Sequence, residues 1–235
     1  MVVFKRIRMI WIIILAIAAA GVLAVFSHNL IKLLNENEIS HVRYIFGGYY
    51  EDPAENFSII HFTLLFLPFM LVSSLSTVYL DTFIHEICYI SAYRFRNLRQ
   101  YTLFHAFALT VLCTSFMTVF LLAMVVMGRA IYAENAAFEW NTLLVQWIKL
   151  SSLTGTLSFV QLYLSAIFST QISALCGTMG YGILLLSDFS IHSHYKFVLI
   201  DGGITSMCFG ILAYLVGLTF MILFPQRHMM RVLFP

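Results

Sequence analysis

Long apolar runs separated by short polar stretches dominate the chain. Five such runs extend over Met9 to Phe26, Phe57 to Leu80, Thr102 to Gly128, Leu150 to Ser187 and Gly202 to Phe224. A helix needs about 20 mainly apolar residues to cross the hydrocarbon core of a bilayer. The pattern therefore predicts an all-α, polytopic membrane protein.

The fourth run is too long for one crossing. Its 38 residues would form a helix of about 57 Å, whereas the hydrocarbon core is about 30 Å thick. The polar triplet Ser169-Thr170-Gln171 is the natural point for a hairpin, which divides the run into two spans. We therefore predict one membrane domain, residues 1–235, with six spans at about 9–26, 57–80, 102–127, 150–168, 172–187 and 204–224.

Composition agrees with this class. Hydrophobic residues make up 61% of the chain and charged residues 10%, against about 45–50% and about 25% in soluble domains. The four cysteines, at positions 88, 113, 176 and 208, lack the pair spacing of a zinc or redox site. We expect a membrane protein without disulfides, metal or cofactor of its own, and without a nucleic-acid partner.

The basic residues predict the orientation. With the N-terminus inside, eight Lys or Arg residues fall on the cytoplasmic side and five fall outside. Because basic loops tend to stay in the cytoplasm, both termini are predicted to be cytoplasmic.

Full charges are absent from the interior of the predicted spans. Lys149 is assigned to the outer side just before the fourth span, which would begin earlier if this side chain extends to the interface, and Asp188 is assigned to the outer segment after the fifth span. His61 and His105 lie near span ends, where a neutral, hydrogen-bonded imidazole is expected. Since ion-coupled carriers need ionisable groups at depth, this pattern disfavours a secondary transporter.

Enzyme motifs are missing as well. His85-Glu86 begins a zinc-protease pattern, but Tyr89 stands where the second histidine ligand belongs. The sequence has no nucleophile elbow and no phosphate-binding loop. His192 and His194 are weak evidence for a metal site, because scattered polar loop residues are commoner. We predict a non-catalytic protein, so that any ATP hydrolysis must belong to another chain.

The sixth span has a face of small residues. Ser206, Gly210, Ala213 and Gly217 recur at steps of four, three and four residues. Small residues at this spacing let a second helix approach closely. The spacing leaves open whether that helix belongs to the same chain or to a second copy.

The segment between the second and third spans, residues 81–101, is charged and aromatic. It contains Glu86, Tyr93, Arg94, Arg96 and Arg99. Contact with anionic lipid headgroups explains the three arginines. It does not explain Glu86 and the neighbouring aromatic residues, so we expect this segment to meet a cytoplasmic partner.

These features together resemble the type 2 permease subunits of ATP-binding-cassette (ABC) transporters. The likeness lies in six spans with both termini inside, a large first outer loop and a cytoplasmic link that contains a glutamate and basic residues before span three. The small size and the lack of an attached ATPase resemble permeases of bacterial peptide-antibiotic export or immunity systems.

The resemblance implies a function and partners. The link with Glu86, Tyr93, Arg94, Arg96 and Arg99 would dock on a cytoplasmic ABC ATPase, which would bind ATP and Mg²⁺. Two permease copies, identical or not, would line an export route for a hydrophobic or amphipathic peptide, lipid or drug in a bacterial plasma membrane. The alternative is a stand-alone channel-like or receptor-like membrane protein without an ATPase.

Overall fold

Six long helices make up the described part of the chain. The computed structural model describes residues 9–34, 46, 59–82, 98–132, 140–165, 167–190 and 203–223. The helices are α1 Met9–Leu34, α2 Ile59–Thr82, α3 Leu98–Tyr132, α4 Trp140–Ser165, α5 Thr170–Ser190 and α6 Gly203–Leu223. The described residues are thus all-helical apart from the turn before α5, which confirms the predicted fold class.

Five of these helices are long and apolar enough to cross a membrane, namely α1, α2, α3, α4 and α6. The remaining helix, α5, contains several polar and small residues, such as Ser173, Gly177 and Gly180. The structure therefore supports a multi-pass membrane protein with at least five candidate spans. A sixth crossing by α5 stays a prediction.

Several helices extend beyond the predicted spans. α1 continues to Leu34, α3 already begins at Leu98, and α4 begins at Trp140, ten residues before the predicted start of its span. An apolar run marks only the part of a helix that lies in hydrocarbon, and backbone hydrogen bonding continues where the side chains become polar. Apolar runs therefore give the minimum extent of these helices.

The break between α4 and α5 lies close to the predicted hairpin. The backbone N–H groups of Ile167 and Phe168 both donate to the carbonyl of Leu164, at 3.0 and 2.8 Å. Ser169 then caps α5, because its side-chain oxygen accepts a hydrogen bond from the N–H of Ile172 at 3.3 Å. Serine is a favoured residue at this capping position.

Helix α4 lies at the centre of the bundle, where it packs against α2, α3, α5 and α6. Helix α1 packs mainly on α3, and α2 packs mainly on α5. Helix α1 buries small apolar residues, Ala16, Ala19 and Ala20, and a Cβ at Gly21 would lie 3.6 Å from the side chain of Met127 of α3. This contact shows that two helices of the chain pack closely with apolar side chains.

Candidate functional site

A stripe of buried polar side chains runs along α4. It has eight members: Gln146, Lys149, Ser151, Ser152, Thr154, Ser158, Gln161 and Ser165. From first to last they span about 28 Å at 1.5 Å per residue, which is close to the thickness of the hydrocarbon core. The central helix is thus polar over most of its length, and its polar side chains point into the protein.

Five residues join three helices in the middle of this stripe. They are called the polar seam below: Ser73 and Ser76 of α2, Cys113 of α3, and Ser158 and Gln161 of α4. The Ser158 hydroxyl lies 3.1 Å from Ser76 Oγ and 3.1 Å from Cys113 Sγ. Gln161 Nε2 donates to Ser73 Oγ. Neutral polar groups therefore hold α2, α3 and α4 together.

Gln161 occupies a space that a glycine of α5 provides. A Cβ atom at Gly177 would lie 2.7 Å from both Cγ and Cδ of Gln161, which is shorter than an ordinary carbon–carbon contact. Gln161 is 1% exposed, and its amide oxygen has no hydrogen-bond partner among the described residues. A buried polar atom without such a partner is costly and is a candidate position for water or a ligand.

The middle of α5 contacts the polar stripe through a tyrosine. Tyr181 donates from its hydroxyl to the carbonyl of Thr154 at 3.2 Å, and its ring stacks on Phe69 of α2 with centroids 5.0 Å apart. These contacts of Tyr181 fix the position of α5 along the axis of α4.

Two charged residues are buried at the far end of the same helix pair. Lys149 is 1% exposed and Asp188 is 3% exposed. Asp188 follows Tyr181 by two helical turns, and Lys149 precedes Thr154 by more than one turn, so both lie at the end of the bundle where α4 begins. The placement of Asp188 in a loop is wrong, because α5 extends to Ser190, and Lys149 lies within α4 with its side chain buried in the protein. Helices α4 and α5 extend further than their apolar runs and bury both charges.

At the opposite end of the bundle, the two helix ends that flank residues 83–97 are fixed by side-chain hydrogen bonds. Tyr79 of α2 and His105 of α3 pair through the hydroxyl and Nδ1, 2.7 Å apart. Thr170, at the start of α5, donates to Asp81 Oδ1 at 3.1 Å. The end of α2, the start of α3 and the turn between α4 and α5 therefore lie together. His105 is hydrogen-bonded, as its position near a span end predicted.

Most of the predicted coupling residues lie outside the described residues. This applies to Glu86, Tyr93, Arg94 and Arg96. Arg99 belongs to the first turn of α3. His192 and His194 also lie outside the described part of the chain.

Two of the four small residues predicted on one face of the sixth span lie close to α4, and a third is buried. Ser206 is buried. A Cβ at Gly210 would lie 2.7 Å from Ser152 Oγ, and one at Gly217 would lie 3.3 Å from Phe159. Ala213 is exposed at the edge of this face. This face thus serves packing within the chain, one of the two possibilities that the spacing left open.

The polar seam is the feature that sequence reasoning missed. The search at membrane depth was for full charges, and the seam contains none. A signal was present, because Ser151, Thr154, Ser158, Gln161 and Ser165 recur at steps of three and four residues, which places them on one side of a helix. Comparisons of the chain with protein-family models, with curated proteins and with solved structures find no match.

Proposed function

We propose that this chain is the non-catalytic permease subunit of an ATP-driven ABC exporter. In this proposal a separate cytoplasmic ABC ATPase binds ATP and Mg²⁺, and a second permease copy completes the transporter in a bacterial plasma membrane. The cargo is a hydrophobic or amphipathic peptide, lipid or drug. The proposal rests on the resemblance of the 81–101 segment to the coupling link of type 2 permeases.

One observation of the structure favours this proposal above the others. Both helix ends that border residues 83–97 are tied to the bundle, α2 to α3 through Tyr79 and His105, and α2 to the α4–α5 turn through Asp81 and Thr170. A partner that binds the link and moves it would therefore move α2, α3 and the α4–α5 turn together. A coupling segment needs such a connection, whereas a lipid anchor does not.

The first test is purification of the tagged chain from its native membrane. We expect a nucleotide-binding partner to co-purify, and the reconstituted complex to hydrolyse ATP faster than the ATPase alone. Glu86→Ala with Arg94→Ala should lower both the recovery of the partner and this stimulation. Gln100→Ala is the matched control, since Gln100 is exposed in the first turn of α3 and follows the last of the predicted coupling residues, Arg99. A chain recovered without any nucleotide-binding partner contradicts the proposal.

A second variant separates docking from coupling. Thr170→Val keeps the shape of the side chain and removes the hydrogen bond to Asp81. We expect normal recovery of the ATPase but less transport for each ATP hydrolysed. Equal transport per ATP in Thr170→Val and the unchanged protein would remove the Asp81–Thr170 contact from the mechanism.

The polar seam favours a second candidate, a stand-alone channel-like protein for small polar solutes. Ser158 and Gln161 supply hydrogen-bonding groups at membrane depth, which channels and transporters use to line a pathway. This alternative predicts passive solute flux through the purified chain in vesicles, without an ATPase.

A further inference from the structure

The polar seam is not needed for close packing of these helices. Helix α1 packs mainly on α3 and buries small apolar residues, Ala16, Ala19 and Ala20, so helices of this chain bury surface against the bundle with apolar side chains. Polar groups in hydrocarbon are costly unless they are bonded, and interhelical hydrogen bonds in membranes add only about 0.6 kcal/mol each. The polarity of the seam therefore calls for a reason beyond packing.

Gln161 supplies that reason. Its side chain is buried between Ser73 of α2 and Gly177 of α5, and its amide oxygen has no hydrogen-bond partner among the described residues. Ser151 Oγ, three turns earlier on α4, is likewise buried without a partner in the described part of the chain. Two such atoms on the same polar stripe indicate binding positions for a molecule that donates hydrogen bonds.

We propose that the polar seam is the closed form of a hydrated path through a single chain, in which Gln161 binds water and the neutral amide or hydroxyl groups of the cargo. The inference rests on the transport part of the proposed function and does not require the ATPase. It places a pathway inside one copy, between α2, α3, α4 and α5, and not only between two copies.

The residues of the seam define the chemical class of the ligand. Ser73, Ser76, Cys113, Ser158 and Gln161 are all uncharged, so the seam offers hydrogen bonds and no counter-ion. The charged residues Lys149 and Asp188 lie beyond it, near the start of α4. Neutral polar groups, such as the backbone amides of a peptide, therefore fit the seam better than a fully charged ion does.

Cys113 provides a native probe of this path. Its Sγ atom lies in the seam, 3.1 Å from Ser158 Oγ, and the residue is 0% exposed in the closed form. Replacing the other cysteines, Cys88→Ala, Cys176→Ala and Cys208→Ala, leaves Cys113 as the single thiol. Cys176 and Cys208 are exposed, so their replacement does not disturb the interior.

The experiment measures the reaction of Cys113 with 2-hydroxyethyl methanethiosulfonate, a neutral and hydrophilic reagent, in proteoliposomes, with and without the co-purified partner and ATP. The thiolate attacks the reagent, a mixed disulfide forms and methanesulfinate leaves. Because only a hydrated thiol ionises readily, we expect Cys113 to react at least about tenfold faster than a cysteine in dry surroundings. Leu112→Cys in a Cys113→Ala background is the matched control, since Leu112 is the neighbouring residue and is 3% exposed.

Gln161→Leu tests the amide itself. It keeps much of the side-chain volume and removes both polar atoms, so we expect the rate at Cys113 to fall to that of the Leu112→Cys control. An unchanged rate would overturn the role of Gln161. Gel filtration of each variant shows whether it is folded, and a Gln161→Met variant, which also lacks both polar amide atoms, replaces Gln161→Leu if that protein aggregates.

The remaining outcomes are decisive as well. If Cys113 stays unreactive under every condition, or reacts no faster than Leu112→Cys, the path through the seam is overturned even when an ATPase co-purifies. If Cys113 reacts and no ATPase is found, the hydrated path is supported and the ABC assignment is lost. The two proposals therefore fail separately.

Discussion

Helices α4 and α6 run in the same direction and pack against each other, yet they place opposite chemistry on their surfaces. In an apolar 18-residue stretch of each helix, 61% of the residues are buried in α4 and 11% in α6. The helix with the lower hydropathy, α4, is the central one. The more apolar α6 leaves Phe209, Leu212 and Val216 exposed, as expected for side chains that meet lipid.

The difference shows how a bilayer sorts helices. Lipid tails solvate apolar side chains as well as a protein interior does, so burying them brings little advantage. Hydroxyl and amide groups have no partners in hydrocarbon and are driven into the bundle. Within this chain, the polarity of a span therefore indicates its place in the bundle better than its hydrophobicity does.

The contact between the two helices is made by glycines from both. A Cβ at Gly155 of α4 would lie 2.8 Å from the ring of Tyr214 of α6, and a Cβ at Gly210 would lie 2.7 Å from Ser152 Oγ. Each helix thus accommodates a larger side chain of its partner. This reciprocity predicts that the two sides of α6 respond very differently to added volume.

The largest loss of stability is expected for Gly210→Leu. The added side chain would clash with Ser152 and the α4 backbone near Lys149, and overpacking of this kind costs about 3 kcal/mol. Ala213→Leu is the control, because Ala213 is exposed and a surface change is within about 0.5 kcal/mol. The measurement is the thermal stability of both purified variants in detergent.

The control in this pair also tests the second copy. If Ala213→Leu leaves the stability of the single chain unchanged but abolishes a dimer in the membrane, then the exposed side of α6 is a subunit interface. Equal destabilisation by the two leucines would contradict the contrast between the buried and exposed sides of α6.

Smaller changes in stability, of opposite sign, are expected when two nearby glycines of α5 are replaced by alanine. Gly177→Ala would displace Gln161 and break its hydrogen bond to Ser73, at a cost of about 1–2 kcal/mol. Gly182→Ala meets only Phe66 at 3.8 Å, an ordinary contact, so the better helix propensity of alanine should stabilise the chain by up to about 1 kcal/mol.

Thermal unfolding of the two alanine variants, side by side, measures this difference. The comparison isolates the polar seam, because both glycines lie on the same helix and receive the same methyl group. Similar shifts of the unfolding temperature in the same direction would mean that Gln161 changes position without loss of stability. The seam would then tolerate an added methyl group as well as the lipid-facing surface of α6 does.

The sequence predicts the helices well and the interior less well. Four of the five apolar runs correspond to one helix each and the fourth run to two, with Ser169-Thr170-Gln171 beside the break between α4 and α5. The predicted helix ends are wrong where the helix continues beyond the apolar run, as it does to Leu34 in α1 and from Trp140 in α4. A run of apolar residues carries no information about backbone structure outside the bilayer.

The contacts between helices depend on rotation, which spacing gives only approximately. The steps of four and three residues predict that Ala213 shares a helix face with Gly210 and Gly217. In the structure it is Tyr214, one residue further along, whose side chain packs on Phe159. A turn has 3.6 residues, so either position satisfies the pattern. The position of the neighbouring helix decides whether Ala213 or Tyr214 faces it, and a single sequence does not give that position.

The smallest expected effect is at the one described hydrogen bond that joins α6 to α3. Thr110 donates its hydroxyl hydrogen to the carbonyl of Ala106 at 2.8 Å, so Tyr214, whose oxygen lies 2.8 Å from Thr110 Oγ1, must be the donor in that pair. Tyr214→Phe should cost about 0.6 kcal/mol, the average for such bonds in membranes.

Tyr163→Phe is its matched control, because the Tyr163 ring contacts Phe220 edge to face with centroids 5.4 Å apart and its hydroxyl has no hydrogen bond among the described residues. Thermal unfolding of both variants should show a small loss for Tyr214→Phe and none for Tyr163→Phe. If Tyr214→Phe is also neutral, packing alone holds α6 in place. The contrast with α4 then becomes sharper, since hydrogen bonds between helices would matter only around the central one.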